Sequence, residues 1–309
     1  MRRPIQHMKH TVVVLAGPTA VGKTALAIRI AQALGTEIIS ADSRQCYREL
    51  SIGTAKPSPE ELAAVPHHFI NSHAIAEEVN AAMYEQLALR YAADIFTRHP
   101  VAVVTGGTGL YIRAFLEGMD QMPAIPEAVR AGIREQYAAN GLPWLQQTLQ
   151  QRDPAFYAIA ETQNPQRLLR ALEVLEATGR SITEFRTATR QQRPFNIIKA
   201  GIELPKEMLH ANIHRRVDVM MNAGLVDEVR AVAAYRHHNA LQTVGYKEVF
   251  DYFDGALSLP EATDAIKTHT RQYAKRQLTW FRKDAEMQWF DAREGEKVMQ
   301  WLEERLAAD

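Results

Sequence analysis

Gly17-Pro18-Thr19-Ala20-Val21-Gly22-Lys23-Thr24 constrains this chain more than any other stretch. Its spacing is G-x-x-x-x-G-K-T. It stands between the apolar run 11–16 and a segment in which Ala25, Leu26, Ile28, Ile30 and Leu34 continue in a helical pattern. A strand that turns tightly into a helix is the opening step of a parallel α/β sheet. Gly17 and Gly22 let the turn curl, so that its backbone N–H groups converge on an anion. The start of the helix adds partial positive charge and Lys23 a full one. The Thr24 hydroxyl suits a Mg²⁺ ion that bridges phosphate oxygens. The expected ligand is a di- or triphosphate held with Mg²⁺.

Two further strands lead toward the same place. Residues 36–40 are a short apolar stretch ending at Asp42-Ser43-Arg44-Gln45, and 101–104 is a continuous apolar run ending at Thr105-Gly106-Gly107-Thr108-Gly109. Ligands of a parallel sheet gather beyond the carboxyl ends of its strands, so Asp42 and the 105–109 turn should face the phosphate loop. The paired glycines would allow a ligand close to the backbone. Between these strands, 79–96 is expected to be a helix resting on Val79, Met83, Leu87, Tyr91 and Ile95. His67 and His68 have no third ligand at useful spacing and are read as structural.

After Gly118 the pattern changes. Pro123, Pro126, Pro143, Pro154 and Pro165 divide 119–194 into short helices with no strand-like run, as in a helical excursion from the core. Arg167 and Arg170 share one helical face, and Arg180, Arg186, Arg190 and Arg193 follow with few acids. Strand character returns at 196–204. Helices follow at 206–223, which carries Arg215 and Arg216, at 225–236 and at 248–253. A last long helix begins near Pro260. From 265 to 283 it holds Lys267, Arg271, Lys275, Arg276, Arg282 and Lys283 with no acid, interleaved with Tyr273, Leu278, Trp280 and Phe281. Lys+Arg and Asp+Glu are equal at 36 each, so any polyanion must be met by such local clusters. The single cysteine, Cys46, rules out an internal disulfide and suits a reducing cytoplasm. Residues 1–10 are polar and read as neither signal peptide nor anchor, and no apolar run approaches the roughly 18 residues of a membrane span.

Two kinds of protein compete on these features alone. A small-molecule kinase also pairs a phosphate loop with an Asp, but it leaves the basic excursion unused. A nucleotide switch would want a second metal-binding Asp where 105–108 reads Thr-Gly-Gly-Thr. A series of motifs is more specific: GPTAVGKT (17–24), ISADSRQCY (39–47), IGTAKP (52–57), GGTGLY (106–111), NPQRLLRALEV (164–174), VGYKE (244–248) and TRQYAKRQLTWFR (270–282). In content and order it resembles the tRNA dimethylallyltransferase family, in the bacterial form that lacks the C-terminal zinc finger of eukaryotic members. Cys46, and Asn212 where many members are basic, are local departures.

The resemblance implies a P-loop NTPase-like α/β core formed by 1–118 and 195–309, with an all-helical insertion at 119–194. It implies transfer of a dimethylallyl group from dimethylallyl diphosphate to the exocyclic amine of the tRNA adenosine 3′ of the anticodon, that base being flipped out of its stack. By the same likeness, residues 17–24 hold the diphosphate with Mg²⁺ on Thr24, Asp42 accepts the amine proton, Thr108 steadies the reacting region, and Arg216 meets the leaving group. From residue type alone Arg216 and Arg215 are equivalent. The implied tRNA contacts are Asp42, Ser43, Arg44, Gln45, Thr108, Arg130, Gln166, Arg167, Leu168, Leu169, Arg170, Gln242, Thr243, Val244, Gly245, Tyr246, Lys247, Lys275, Arg276, Gln277, Leu278, Thr279, Trp280, Phe281 and Arg282. The expected protein is a cytoplasmic monomer whose partner is the tRNA anticodon stem-loop.

Overall fold

Strand β1 (Thr11–Ala16) is buried at every residue, as a β-branched run at the centre of a parallel sheet should be. The computed structural model describes residues 10–186 and 190–308; of the polar opening stretch read above as neither signal nor anchor, 1–9 lie outside them. The chain forms two compact units, Met1–Gly118 with Gln192–Asp309, and Met119–Gln191.

In the first unit β1 is followed by α1 (Lys23–Leu34), β2 (Ile38–Ser40), α2 (Pro59–Ala64), β3 (His67–His68), α3 (Ala81–Phe96), β4 (Val101–Gly106) and α4 (Gly109–Glu117). The second unit contributes α5 (Glu127–Arg152), α6 (Pro154–Ile159) and α7 (Pro165–Thr178). The first unit then resumes with β5 (Asn196–Glu203), α8 (Lys206–Asn222), α9 (Leu225–Ala231), α10 (Tyr246–Phe253), α11 (Leu259–Phe281), β6 (Gln288–Asp291) and α12 (Gly295–Ala308). The six strands are all parallel, in the order β3-β2-β4-β1-β5-β6. Side chains alternate between the two faces. Val13, Leu15, Val103, Ile198 and Ala200 pack with α1, α8 and α12, and the equally buried Val12 and Val14 turn to the other face. The carboxyl ends of β1, β4 and β2 are neighbours, so their three loops open on one crevice.

The second unit has its own apolar core, built on Leu145, Leu149, Phe156, Leu168, Leu172 and Val174. Gly141 breaks α5 at φ 69°, two residues before Pro143, which divides it close to where the prolines suggested.

Several expectations are corrected. Helix α3 buries Ala81, Tyr84, Ala88, Ala92 and Ile95 and leaves Met83 exposed. The alanines let the helix lie close, and Tyr84 stacks on Tyr111 at 4.4 Å. The helix expected over 225–236 ends at Ala231 and passes into a short 3-10 turn. β6 and α12 lie beyond the helix expected to be last. Arg193 was read with the insertion's arginines but belongs to the first unit. There its buried guanidinium donates to Glu85 at 2.7 Å and to the Ala114 carbonyl at 2.9 Å.

Candidate active site

The 17–22 turn is coiled by two left-handed residues, Ala20 at φ 63° and Gly22 at φ 99°. Glycine takes this conformation without strain. Alanine does not, and such strain concentrates at binding loops. The coil brings successive N–H groups to the start of α1, where Lys23 and Thr24 stand. The Lys23 ammonium donates to the Pro18 carbonyl of its own loop at 2.7 Å. Burial, reinforced by Arg216 and partly opposed by Asp42, pushes its pKa down to about 7. Thr24 makes no side-chain hydrogen bond among the described residues and lines the cavity above the loop.

That cavity has a volume of about 280 Å³ and contains Lys23, Thr24, Asp42 and Arg216 together. Asp42 follows β2, and its Oδ1 accepts the N–H groups of Arg44 at 2.8 Å and Gln45 at 3.1 Å. This side-chain turn fixes the carboxylate in the crevice. Arg216 reaches in from α8, and its Nη1 donates to Thr19 Oγ1 at 3.1 Å. Burial lowers its pKa, against the pull of Asp42. Arg215, one residue earlier, is exposed. Helix phase therefore separates two arginines that residue type could not.

Thr108 stands at the start of α4. Its hydroxyl accepts the Ser43 N–H at 3.0 Å and donates to Ser43 Oγ at 3.3 Å, which ties the β4 loop to the Asp42 turn. Gly106 and Gly107 line the cavity, and the space on the Cβ side of Gly107 is filled by the protein: a Cβ there would lie 2.2 Å from Gln277 Nε2. Gln277, on α11, is buried. Its Oε1 accepts the Thr19 N–H at 2.8 Å, and its Nε2 donates to the Gly107 carbonyl at 2.9 Å.

The fourth wall is 54–57, and sequence reasoning missed what holds it. Glu228 on α9 accepts the N–H groups of Ser51, Ile52 and Gly53 at 2.7–2.9 Å and the Tyr246 hydroxyl at 2.7 Å. From the other side, Gln45 Nε2 donates to the carbonyls of Thr54 and Ala55 at 3.2 and 3.0 Å. Tyr273 also lines the cavity. Burial and then the Asp42 charge push its hydroxyl up to about 12, so it stays protonated. The interleaving of aromatics with Lys and Arg on this helix was the one signal that pointed to it.

The residues expected to contact tRNA divide by exposure. Arg44 and Ser43 flank the cavity as part of the Asp42 turn, and Lys275, Arg276, Thr279, Trp280 and Arg282 are exposed on or just after α11. Leu278 is half-buried against the core, and Gln277 and Phe281 are buried. Along 242–247, Gln242 and Lys247 are exposed, Thr243 and Val244 half-buried, and Gly245 and Tyr246 buried. In the helical unit Gln166 and Arg167 are exposed, and Arg130 and Arg170 half-buried. Leu168 and Leu169 face its core, a correction that follows from the 3.6-residue period of α7. Arg170 pairs with Glu173 at 3.4 Å and Arg167 with Glu161 at 3.5 Å, so these arginines are less unbalanced than the sequence suggested. His67 Nδ1 bonds the Val65 carbonyl and the residue also lines the cavity, whereas His68 Nε2 meets Glu37 at 2.7 Å. Among the described residues no group of three His, Cys, Asp or Glu side chains forms a metal cage.

Known proteins resemble this chain in sequence and in fold. The family model for IPP transferase matches residues 45–284. The chain is 45% identical to the tRNA dimethylallyltransferase of Cytophaga hutchinsonii over 295 residues, which is 96% of this chain and 97% of that protein. It is 44% identical to tRNA dimethylallyltransferase 1 of Bacteroides thetaiotaomicron over 94% of this chain and 95% of that one. The crystal structure of the tRNA isopentenylpyrophosphate transferase of Bacillus halodurans superposes with a TM-score of 0.73 at 35% identity, covering 97% of this chain and 98% of that one. A eukaryotic dimethylallyltransferase acting on tRNA gives 0.76 at 26% identity, covering 92% of this chain and 74% of that one. By that family model and those identities, and with its six-stranded parallel core, the chain belongs to the IPP transferase family, that of the tRNA dimethylallyltransferases.

Proposed function

We propose that this chain transfers a dimethylallyl group from dimethylallyl diphosphate to the exocyclic amine of the adenosine next to the anticodon on its 3′ side in tRNA, releasing diphosphate. The observation that carries the proposal is the facing of Asp42 with Lys23 and Arg216 across one cavity. The amine nitrogen bonds to C1 of the dimethylallyl group as the C1–O bond breaks, and the electron pair of that bond leaves on the diphosphate. Lys23, Arg216 and the loop N–H groups stabilise the charge that grows there. Asp42 accepts the proton that the nitrogen loses. Its Oδ1 is fixed by two backbone N–H groups, and its Oδ2 has no hydrogen-bond partner among the described residues and is available to the amine. Tyr273 lines the cavity and keeps its proton as a hydrogen-bond donor, and Thr108 acts from behind the wall by holding the Asp42 turn through Ser43.

The donor set suits Mg²⁺. A single hydroxyl beside an anion cradle, with no acidic cage, fits an ion that keeps waters and takes the rest of its shell from phosphate oxygens. Thr24 would hold it, and the ion would add charge neutralisation at the diphosphate.

The acceptor base must leave its stack to reach Asp42. Exposed Lys275, Arg276 and Trp280 suit backbone phosphates and an unstacked base, and Arg167 with Gln166 offers further contact to the anticodon stem-loop. The buried, protonated thiol of Cys46 and a tRNA substrate fit work in the cytoplasm, and no helix among the described residues is long and apolar enough to cross a membrane. The test is incubation with dimethylallyl diphosphate and bulk tRNA, followed by nucleoside mass analysis. The expected result is a prenylated adenosine that appears only with both substrates. Movement of a labelled γ-phosphate from ATP to a small acceptor, with no prenylated nucleoside, would overturn it.

A further inference from the structure

We infer that Gln277 is a positioning residue for the transfer: its side-chain amide holds the diphosphate loop and the Thr108 wall at a fixed separation. The inference rests on the function proposed above. Gln277 lies on the inner face of α11 between the buried Ala274 and Phe281 and is only 6% exposed. An apolar side chain is the ordinary occupant of such a position, since a buried amide is costly unless both of its ends are bonded. Here both are, and each to the backbone of a different loop. Oε1 takes the Thr19 N–H, and Nε2 gives to the Gly107 carbonyl.

Each partner leads directly to a reacting group. Thr19 sits in the diphosphate loop, and its hydroxyl accepts from Arg216, so one residue is gripped at the backbone by Gln277 and at the side chain by the arginine facing the leaving group. Gly107 precedes Thr108, which is bonded to the Asp42 turn through Ser43. The amide therefore spans from the side that holds the electrophile to the side that holds the base. Gly107 has no room for a Cβ because the amide nitrogen fills that space, so the spacing is close and specific. In-line displacement is sensitive to such spacing: an error of about 1 Å between reacting groups costs on the order of 100-fold in rate.

The experiment compares the full-length wild type with Gln277→Leu and Gln277→Glu. Leucine keeps the volume and removes both bonds. Steady-state transfer should show kcat lowered by roughly 10- to 100-fold in Gln277→Leu, with the KM values for dimethylallyl diphosphate and tRNA within about threefold of wild type. Glutamate makes both bonds only when protonated. Its activity relative to wild type should therefore fall as pH rises through the pKa of the buried carboxyl, a step a purely structural role would not produce. Hydrogen exchange gives a reading that needs no activity: protection at 17–20 and at 106–108 should drop together in Gln277→Leu. A kcat within threefold of wild type, a Gln277→Glu profile parallel to wild type, or unchanged exchange in both loops would each overturn the inference. If Gln277→Leu does not fold, the Gln277→Glu profile decides, together with exchange in Gln277→Glu, where protection of both loops should drop as the carboxyl loses its proton. A wild type that transfers no prenyl group refutes the proposed function alone, and the exchange result still decides the tie.

Discussion

Diphosphate binding should draw a proton from solvent, because burial and Arg216 hold Lys23 near pKa 7. A bound diphosphate, with several negative charges against the ammonium, returns it to the ordinary lysine range or above. The sign follows. In the free protein Lys23 loses its proton as pH rises through about 7, and in the complex it keeps it. Uptake is thus small at pH 6, about half a proton at pH 7, and about 0.9 proton at pH 8. The affinity that depends on this charge is fully present below pH 7 and declines above it, being about fivefold weaker at pH 8 than at pH 7. Calorimetric titration of inorganic pyrophosphate in buffers of different ionisation enthalpy reads the uptake directly. Lys23→Arg, which keeps its charge throughout, corrects for protons exchanged by pyrophosphate itself. Equal uptake in wild type and Lys23→Arg, or uptake that shrinks between pH 6 and 8, would refute the reasoning.

Four other outcomes are expected. Asp42→Ala should slow single-turnover transfer by roughly 100-fold or more while pyrophosphate affinity holds, and near-normal turnover would remove the carboxylate from its role as base. Arg216→Ala should lower transfer by at least about tenfold, and Arg215→Ala should leave it within about twofold; the reverse ranking in the same assay would contradict the helix phase. Glu228→Ala removes the acceptor of three backbone N–H groups and one hydroxyl, and should cost about 2–3 kcal/mol in urea unfolding and raise the KM for dimethylallyl diphosphate; an unchanged midpoint would deny the carboxylate its part in holding 51–57. Binding of tRNA should weaken steeply with salt, and Arg276→Ala should make the log–log slope shallower by about 1; a flat wild-type response would mean the exposed basic face of α11 meets only solvent.

The parts of the site that were legible are those in which local sequence dictates local backbone. Residues 17–24 spell out their own turn, and the parallel sheet then carries Asp42 and Thr108 to the same edge. Parts that depend on distant packing were not legible. Arg216 differs from Arg215 only by a rotation of α8 that the apolar face of the helix sets. Glu228 is an ordinary acid in sequence, because three of its four partners are backbone groups roughly 175 residues away. Gln277 and Tyr273 were visible only as members of a basic, aromatic helix, and which of them turned inward awaited the register of α11. The misread face of α3 has a similar cause: alanines carry little hydropathy but permit the closest approach. β6 went unseen because one exposed and three half-exposed residues at a sheet edge carry no apolar run.

The position of β1 has a consequence for how the protein comes into being. Its two flanking ladders join Thr11 to Val101 and Thr11 to Asn196. A nascent chain therefore carries its most apolar strand with one side unzipped until it has grown some 185 residues past Thr11 (196 − 11), the whole helical unit among them. Long-range parallel pairing of this kind folds slowly and offers an open edge to other chains in the interval. Early synthesis of the helical unit, which can collapse on its own apolar centre, shortens the unprotected length of polypeptide but cannot close that edge. Expression at low temperature or with a holdase chaperone should accordingly raise the soluble yield more than any change to the surface of the finished molecule.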